Sequence, residues 1–355
     1  MASDAPAKPA FSGGGLATGH IVMSEAEAAR VVERVYGISG TLTRLATEKD
    51  DSFRIDVDGA PHSVVKIANP HDPAEELDFQ LSLLRRVAEV DPTIPVPHVI
   101  PALDGSHAPI ITDDAGQVRE TWLITHMRGE VLDHMETTPP EREKIGEVLA
   151  KLRHATAGYS HPAQDHVLAW DVKHIMTMAP MLEHVTVPRQ RELIAAGLER
   201  LEAMQPRIQR LRTQVLHNDF SRSNLLGDHD DPEFLTGVID FGDAVRTAIA
   251  IDVSTALVNQ LPRDAAENPV DDLFAAGRDL LRGYLRLADL DREELALLPH
   301  LTMARAIARA LITIRRAELF PHNRTYILRN TEPGWAQLEW FMARSTDDIS
   351  ATFTD

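Results

Sequence analysis

Apolar positions in the first third of the chain switch between the period of a helix and the period of a strand. Ser24, with Glu25 and Glu27 behind it and then Ala28, Val31, Val32 and Val35, predicts a capped amphipathic helix that stops at Gly37. Two short strand-like runs follow at residues 41–45 and 52–58, then a turn at Asp58-Gly59 and a β-branched run at 63–67. Those three runs predict a small antiparallel sheet. From residue 73 to about 90, Leu77, Leu81, Leu84 and Ala88 recur at spacings of four, three and four, which predicts a helix with one apolar stripe laid on that sheet.

Four prolines in residues 91–101 end the helix. Apolar stretches at 108–112 and 120–125 flank an Asp-Asp-Ala-Gly turn and predict a hairpin, and Met127-Arg128-Gly129 reads as the crossing into a second lobe. Beyond it, helical patterns dominate at 140–156, 188–211, 249–261, 271–287 and 300–319, interrupted by loops and short strands near 213–242. The pattern predicts an α+β, bilobal, protein-kinase-like fold. Residues 23–127 form its small antiparallel-sheet lobe and 128–355 a larger, mostly helical lobe. Residues 1–22, rich in Ala, Gly, Ser and Pro, read as a flexible tail without a function.

Composition narrows the partners. The chain has 355 residues, enough for two lobes around a cleft. Its formal net charge of −18, from 36 Lys and Arg against 54 Asp and Glu, disfavours nucleic acid or an acidic membrane surface and suits a cationic or zwitterionic small molecule. No cysteine is present, so disulfides, thiolate metal sites and cysteine nucleophiles drop out. No run of about 18 apolar residues stands out, and the N-terminus lacks the pattern of a secretory signal, so a cytoplasmic location is expected.

The chemistry is concentrated in His217-Asn218-Asp219-Phe220-Ser221-Arg222-Ser223-Asn224 and, after an apolar run, Asp240-Phe241-Gly242-Asp243. These have the form of an H-x-D-x-x-x-x-N loop and a D-F-G metal motif. Phosphoryl transfer needs an acceptor hydroxyl aimed at the γ-phosphate and cations on the oxygens that gather charge. Asp219 is the candidate to orient the hydroxyl and accept its proton. Asn224 and Asp240 are candidate oxygen ligands for Mg²⁺, a hard cation that takes few protein oxygens and several from phosphate and water. They lie 16 residues apart, a spacing that a β-hairpin closes. His217 is expected to hold the loop by bonding to backbone near Asp240.

A kinase also needs a lysine on the third strand of the small sheet. Lys66 in Ser63-Val64-Val65-Lys66-Ile67 meets that requirement and is expected on the α- and β-phosphates. Its acidic partner is left open by periodicity among Glu75, Glu76 and Asp78. The loop at 47–53 has no glycine, and no G-x-x-x-x-G-K-[ST] occurs, so backbone amides and the Ser52 hydroxyl are expected to cover the phosphates.

With both motifs in place the chain resembles the aminoglycoside phosphotransferase and choline kinase superfamily over residues 24 to 340, and within it hydroxylysine kinase. That narrower likeness rests on Asp50-Asp51-Ser52-Phe53, Leu168-Ala169-Trp170-Asp171, Asp240-Phe241-Gly242-Asp243, and Phe320-Pro321-His322-Asn323 with Tyr326 and Gly334-Trp335. The aspartate at 243 is its most pointed element. The resemblance implies Asp78 as the partner of Lys66, a hinge at Thr125 and Met127 that binds the nucleobase through backbone, and ATP or GTP as donor. It implies an acceptor pocket in the helical lobe. A substrate that is a small hydroxylated amine or amino acid then needs acidic and basic contacts, for which Asp243 and Asp171 are candidates toward an ammonium and Arg305 toward a carboxylate. Asp252 is expected to stabilise the catalytic loop. A homoserine, choline, ethanolamine or aminoglycoside kinase, a nucleotide-binding pseudokinase scaffold, and a metal-dependent hydrolase are the competing readings; scattered histidines without H-E-x-x-H speak against the last.

Overall fold

The computed structural model describes residues 20–47 and 50–354. Helix α1 (Glu25–Tyr36) begins where Ser24 accepts the Glu27 N–H, and it ends at Gly37, whose φ of 69° lets its N–H reach back to the Glu33 carbonyl. Strands β1 (Thr41–Arg44), β2 (Asp51–Val57) and β3 (Ala60–Ile67) then form an antiparallel meander. The β2–β3 turn needs positive φ at both central residues, which Asp58 at 52° and Gly59 at 80° supply.

After α2 (Ala74–Val90) come β4 (Val99–Ile100), β5 (Ile110–Thr112) and β6 (Val118–Thr125). The sheet runs β1-β2-β3-β6-β4, with β5 also on β6. One of its faces packs on α1 through Phe53, Ile55, Val65, Ile67 and Leu123. On the other, Trp122 meets Leu77 and Leu81 of α2. Phe79, Leu83, Leu84 and Val87 of the same helix enter the main core of the helical part, so α2 is shared between both.

Residues 1–19 of the expected 1–22 tail lie outside the described residues, while His20 and Ile21 are held by polar contacts. His20 contacts Asp51 and Asn69, and the backbone of Ile21 both donates to and accepts from the Gln117 side chain. These polar contacts fix a segment whose composition carries no helical or strand period.

The helical part opens with β7 (Glu130–Val131), α3 (Pro139–Ala155) and α4 (Pro188–Ile208). It continues through β8 (Thr213–Leu216), β9 (Leu225–Gly227), β10 (Leu235–Val238) and β11 (Val245–Ala248) to α5 (Ile249–Val258), α6 (Ala275–Leu287) and α7 (Arg292–Leu319). Short helices α8 (Arg324–Leu328), α9 (Glu332–Met342) and α10 (Thr346–Ala351) close the chain. Helix α7 starts eight residues before the pattern predicts. Its first turn is fixed by a capping box between Asp291 and Glu294, and Pro299, which suggests a boundary, sits inside it. This helix is also long and apolar enough to cross a membrane by composition, against the sequence expectation that no such run exists, but most of it is buried in the protein core.

Candidate active site

Strand β8 ends at the functional loop, and β11 pairs back on it with Val245 opposite Leu216, so the segment after Asp240 returns to the start of the loop. His217 is buried; its Nδ1 accepts the Asp219 N–H at 3.3 Å, which puts the proton on Nε2, 3.2 Å from the Ile239 carbonyl. Burial holds this imidazole below its ordinary pKa, opposed by the charges of Asp219 and Asp240. The neutral ring thereby ties the loop to the D-F-G segment, and Phe241 packs against it at 4.6 Å between ring centroids.

Asn218 has φ of 59°, a conformation asparagine tolerates better than most residues. Its N–H donates to Asp252 Oδ1 at 2.7 Å. Asp252, in the first turn of α5, is buried, and burial pushes its carboxyl up to about 7 against the pull of the Asn218 N–H and Arg305. Asp252 thus lies beneath the 217–224 loop.

Asp219 itself stays open, with 30% of its side chain exposed. Oδ2 accepts from Asn224 Nδ2 at 2.7 Å, and Oδ1 lies 3.4 Å from an Arg305 nitrogen. The β9–β10 hairpin carries Asn224 and Asp240: Leu225 pairs with Val238, and the Ile239 N–H donates to the Asn224 carbonyl at 2.9 Å. Asp240 is exposed, with φ of 65°, and its carboxylate accepts the Gly242 N–H at 3.3 Å. With the Asn224 amide nitrogen turned to Asp219, its oxygen points elsewhere. An amide oxygen and an exposed carboxylate on one hairpin are hard donors of the kind a Mg²⁺ ion shared with phosphates requires.

On the sheet, Lys66 is flanked by Ser52 of β2 and Trp122 of β6, and its ammonium lies 5.9 Å from the Trp122 ring centre. It therefore emerges on the face opposite α1. Among the described residues it has no ion-pair partner. Asp78 does not fill that place: it is exposed, and His161 Nε2 lies 3.1 Å from its carboxylate. Ser52 also departs from the expected position. It is fully buried within β2 with no partner for its hydroxyl, because the strand already starts at Asp51. Asp51 belongs to the other face of the sheet, where Arg119 at 2.8 Å and Arg44 at 2.7 Å bind it; burial alone would raise its pKa, but these arginines and the Met23 N–H hold it below the usual range. The 50–53 stretch is thus mostly a structural anchor.

Of the residues expected at the hinge, Thr125 has its N–H on the His98 carbonyl at 2.9 Å and its hydroxyl accepting the His98 N–H, which ties the end of β6 to the segment before β4. Met127 follows the end of β6, with Gly237 beneath it allowing close approach. Asp243 is half-buried in the turn after Asp240. Asp171 and Arg305 do not fit a role in holding substrate. Asp171 is wholly buried, held by the Lys173 ammonium at 3.0 Å and the Thr247 hydroxyl at 2.9 Å. Arg305 is buried and spent on the carbonyls of Trp170 and Asn218 as well as on Asp219. It braces the loop, a role its sequence position 86 residues from Asp219 gave no sign of. Trp335 lines an apolar cleft between α4, α9 and residues 265–273.

Comparison with known proteins agrees with this layout. The family profile described as "Phosphotransferase enzyme family" matches residues 41–290. No curated protein matches the chain. Among solved structures, a microcompartment-associated aminopropanol kinase superposes with a TM-score of 0.71 at 19% identity, over 90% of this chain and 98% of its own. An amicoumacin kinase in complex with AMP-PNP, Ca²⁺ and Ami superposes with a TM-score of 0.67 at 16% identity, over 89% and 94%. A spectinomycin phosphotransferase with ADP and spectinomycin gives 0.60 at 13%, over 90% and 98%. At these identities the likeness is one of fold, the bilobal kinase-like architecture. The match of the profile to well over half of the sequence, spanning the whole 217–224 loop and the hairpin behind it, means that the chain belongs to the phosphotransferase enzyme family.

Proposed function

We propose that this phosphotransferase moves the γ-phosphate of ATP or GTP to the hydroxyl of a small amino acid or amino alcohol, with hydroxylysine as the leading acceptor. The observation that carries this reading is the Asp219 carboxylate, 30% exposed and held by Asn224 at 2.7 Å, on a loop anchored to the Asp240 hairpin. A carboxylate in that state can accept a hydrogen bond from an acceptor hydroxyl and take its proton as the oxygen attacks phosphorus.

Asn224 and Asp240 would hold Mg²⁺, which when bound neutralises phosphate oxygens. Lys66, with no carboxylate of its own to satisfy, would contact the α- and β-phosphates. The backbone at 125–127 would receive the base. In this reading residues 23–127 form the nucleotide lobe and 128–355 the catalytic and acceptor lobe.

The direct test is nucleotide turnover with Mg²⁺, using ATP and GTP against 5-hydroxylysine, homoserine, choline, ethanolamine and an aminoglycoside, with Asp219→Ala as control. Acceptor-dependent turnover that the control abolishes supports the reading. Failure to bind either nucleotide overturns it.

A further inference from the structure

Helix α7 carries two arginines one turn apart. Arg305 is occupied by the loop, through the carbonyls of Trp170 and Asn218 and the carboxylate of Asp219. Arg309 follows on the same helical stripe. It is only partly exposed and makes no hydrogen bond or ion pair through its side chain among the described residues. The other described arginines in that condition, Arg34, Arg86, Arg191, Arg210, Arg292 and Arg324, are all exposed. There, water satisfies the five N–H donors. Arg309 is half-buried with its guanidinium nitrogens still reaching solvent, and burial pushes its pKa down to about 10, with the charges of Arg305 and Arg263 acting in the same direction. A partly desolvated cation that the protein leaves unpaired and solvent can reach is placed to take an anion from solution.

The nearby carboxylates are already engaged. Asp219 and Asp133 both act on Arg309, but Arg305 lies 3.4 Å from Asp219 and Arg263 lies 2.6 Å from Asp133. Each carboxylate acting on Arg309 is thus already paired with another guanidinium, in a chain with 54 acidic and only 36 basic residues, where a spare carboxylate is the commoner situation. The charges acting most strongly on Arg309 all belong to the helical part, where the acceptor would sit, and not to Lys66 on the sheet.

We propose that Arg309 receives the carboxylate of the acceptor, so that the substrate is a small hydroxy acid or hydroxy amino acid whose hydroxyl reaches Asp219 while its carboxylate meets Arg309. This inference rests on the kinase reading above and selects within it, against acceptors without a carboxylate. A planar guanidinium matches a carboxylate with two parallel N–H···O bonds, which a lysine cannot reproduce. It also replaces Arg305, which the sequence pointed to for this purpose and which is buried under the loop.

The test compares acceptors that differ only by the carboxylate: homoserine against 3-aminopropan-1-ol, serine against ethanolamine, and 5-hydroxylysine against 1,5-diaminopentan-2-ol. The wild-type protein is expected to favour the carboxylate member of the pair it accepts by roughly 10- to 100-fold in kcat/KM, the size of one charge-assisted pair. Arg309→Gln should bring that ratio close to one, and Arg309→Lys should fall between. A ratio unchanged in Arg309→Gln, with both members slowed alike, would make Arg309 structural and overturn the proposal. A raised KM for nucleotide with the ratio intact would place Arg309 on the donor phosphates and overturn it equally. Turnover of the decarboxylated members alone would leave the kinase standing and remove the carboxylate. Absence of nucleotide binding would remove both.

Discussion

Asn224 Nδ2 donates to Asp219 Oδ2 at 2.7 Å, so the amide proposed to ligate the metal also fixes the carboxylate proposed to take the proton. Asp219→Asn should keep nucleotide affinity and lose about 10²- to 10⁴-fold in kcat, the usual worth of a positioned base. Asn224→Ala should combine a loss in kcat with a shift of the Mg²⁺ dependence to higher concentration. Steady-state kinetics across a metal titration separates the two. An Asn224→Ala variant with wild-type metal dependence would rule out the ligand role.

The Asp252 carboxyl makes stability depend on pH in a defined direction. Its pKa of about 7 in the folded protein lies above that of an unfolded aspartate, so between about pH 4 and 7 the folded state binds the extra proton. The contribution of this group is present at low pH and is lost as pH rises toward 7. Asp252→Asn keeps an oxygen for the Asn218 N–H and removes the titration. The melting temperature of the variant, relative to wild type, should therefore rise from pH 5 to pH 7.5, and a difference that stays constant would contradict the assignment.

Lys66 and Asp78 should behave as unrelated residues. Asp78 is exposed and bound to His161, an arrangement worth at most about 1 kcal/mol at a surface. Asp78→Asn is expected to change kcat/KM for nucleotide by less than about threefold, whereas Lys66→Ala should lower it by more than about tenfold. Equal losses in the two would restore their pairing.

Helices α3 and α6 approach each other through glycine on both sides. A methyl group on Gly146 would collide with the Leu280 carbonyl, and one on Gly283 with the Glu143 carbonyl. Since backbone cannot move aside as a side chain can, Gly146→Ala and Gly283→Ala should each destabilise by about 2 kcal/mol or more, measured by denaturant unfolding. A loss below about 0.5 kcal/mol would show that the helices shift apart freely.

Local pattern was enough wherever a function depends on neighbours in the chain. The Asp58-Gly59 turn, the stripe of α2, and the strand position of Lys66 follow from spacing alone. The 217–224 loop and the 240–243 motif were legible for the same reason, because a short hairpin closes the distance between them. Ser52 and Asp171 were misjudged because residue type does not reveal direction: each is buried. The start of α7 was missed because Pro299 looks like a boundary, while the capping box that sets the true one lies further back.

What the sequence determined by itself was the set of candidate groups for phosphoryl transfer and the order in which strands and helices present them, since both depend on covalent spacing and local periodicity. Which charges remain free was decided only by tertiary structure. Arg305 and Arg309 are the same residue four positions apart on one helix, yet one is consumed by carbonyls and a carboxylate from distant segments and the other is not. Electrostatic balance is a property of groups brought within a few ångströms, and chain order does not encode it.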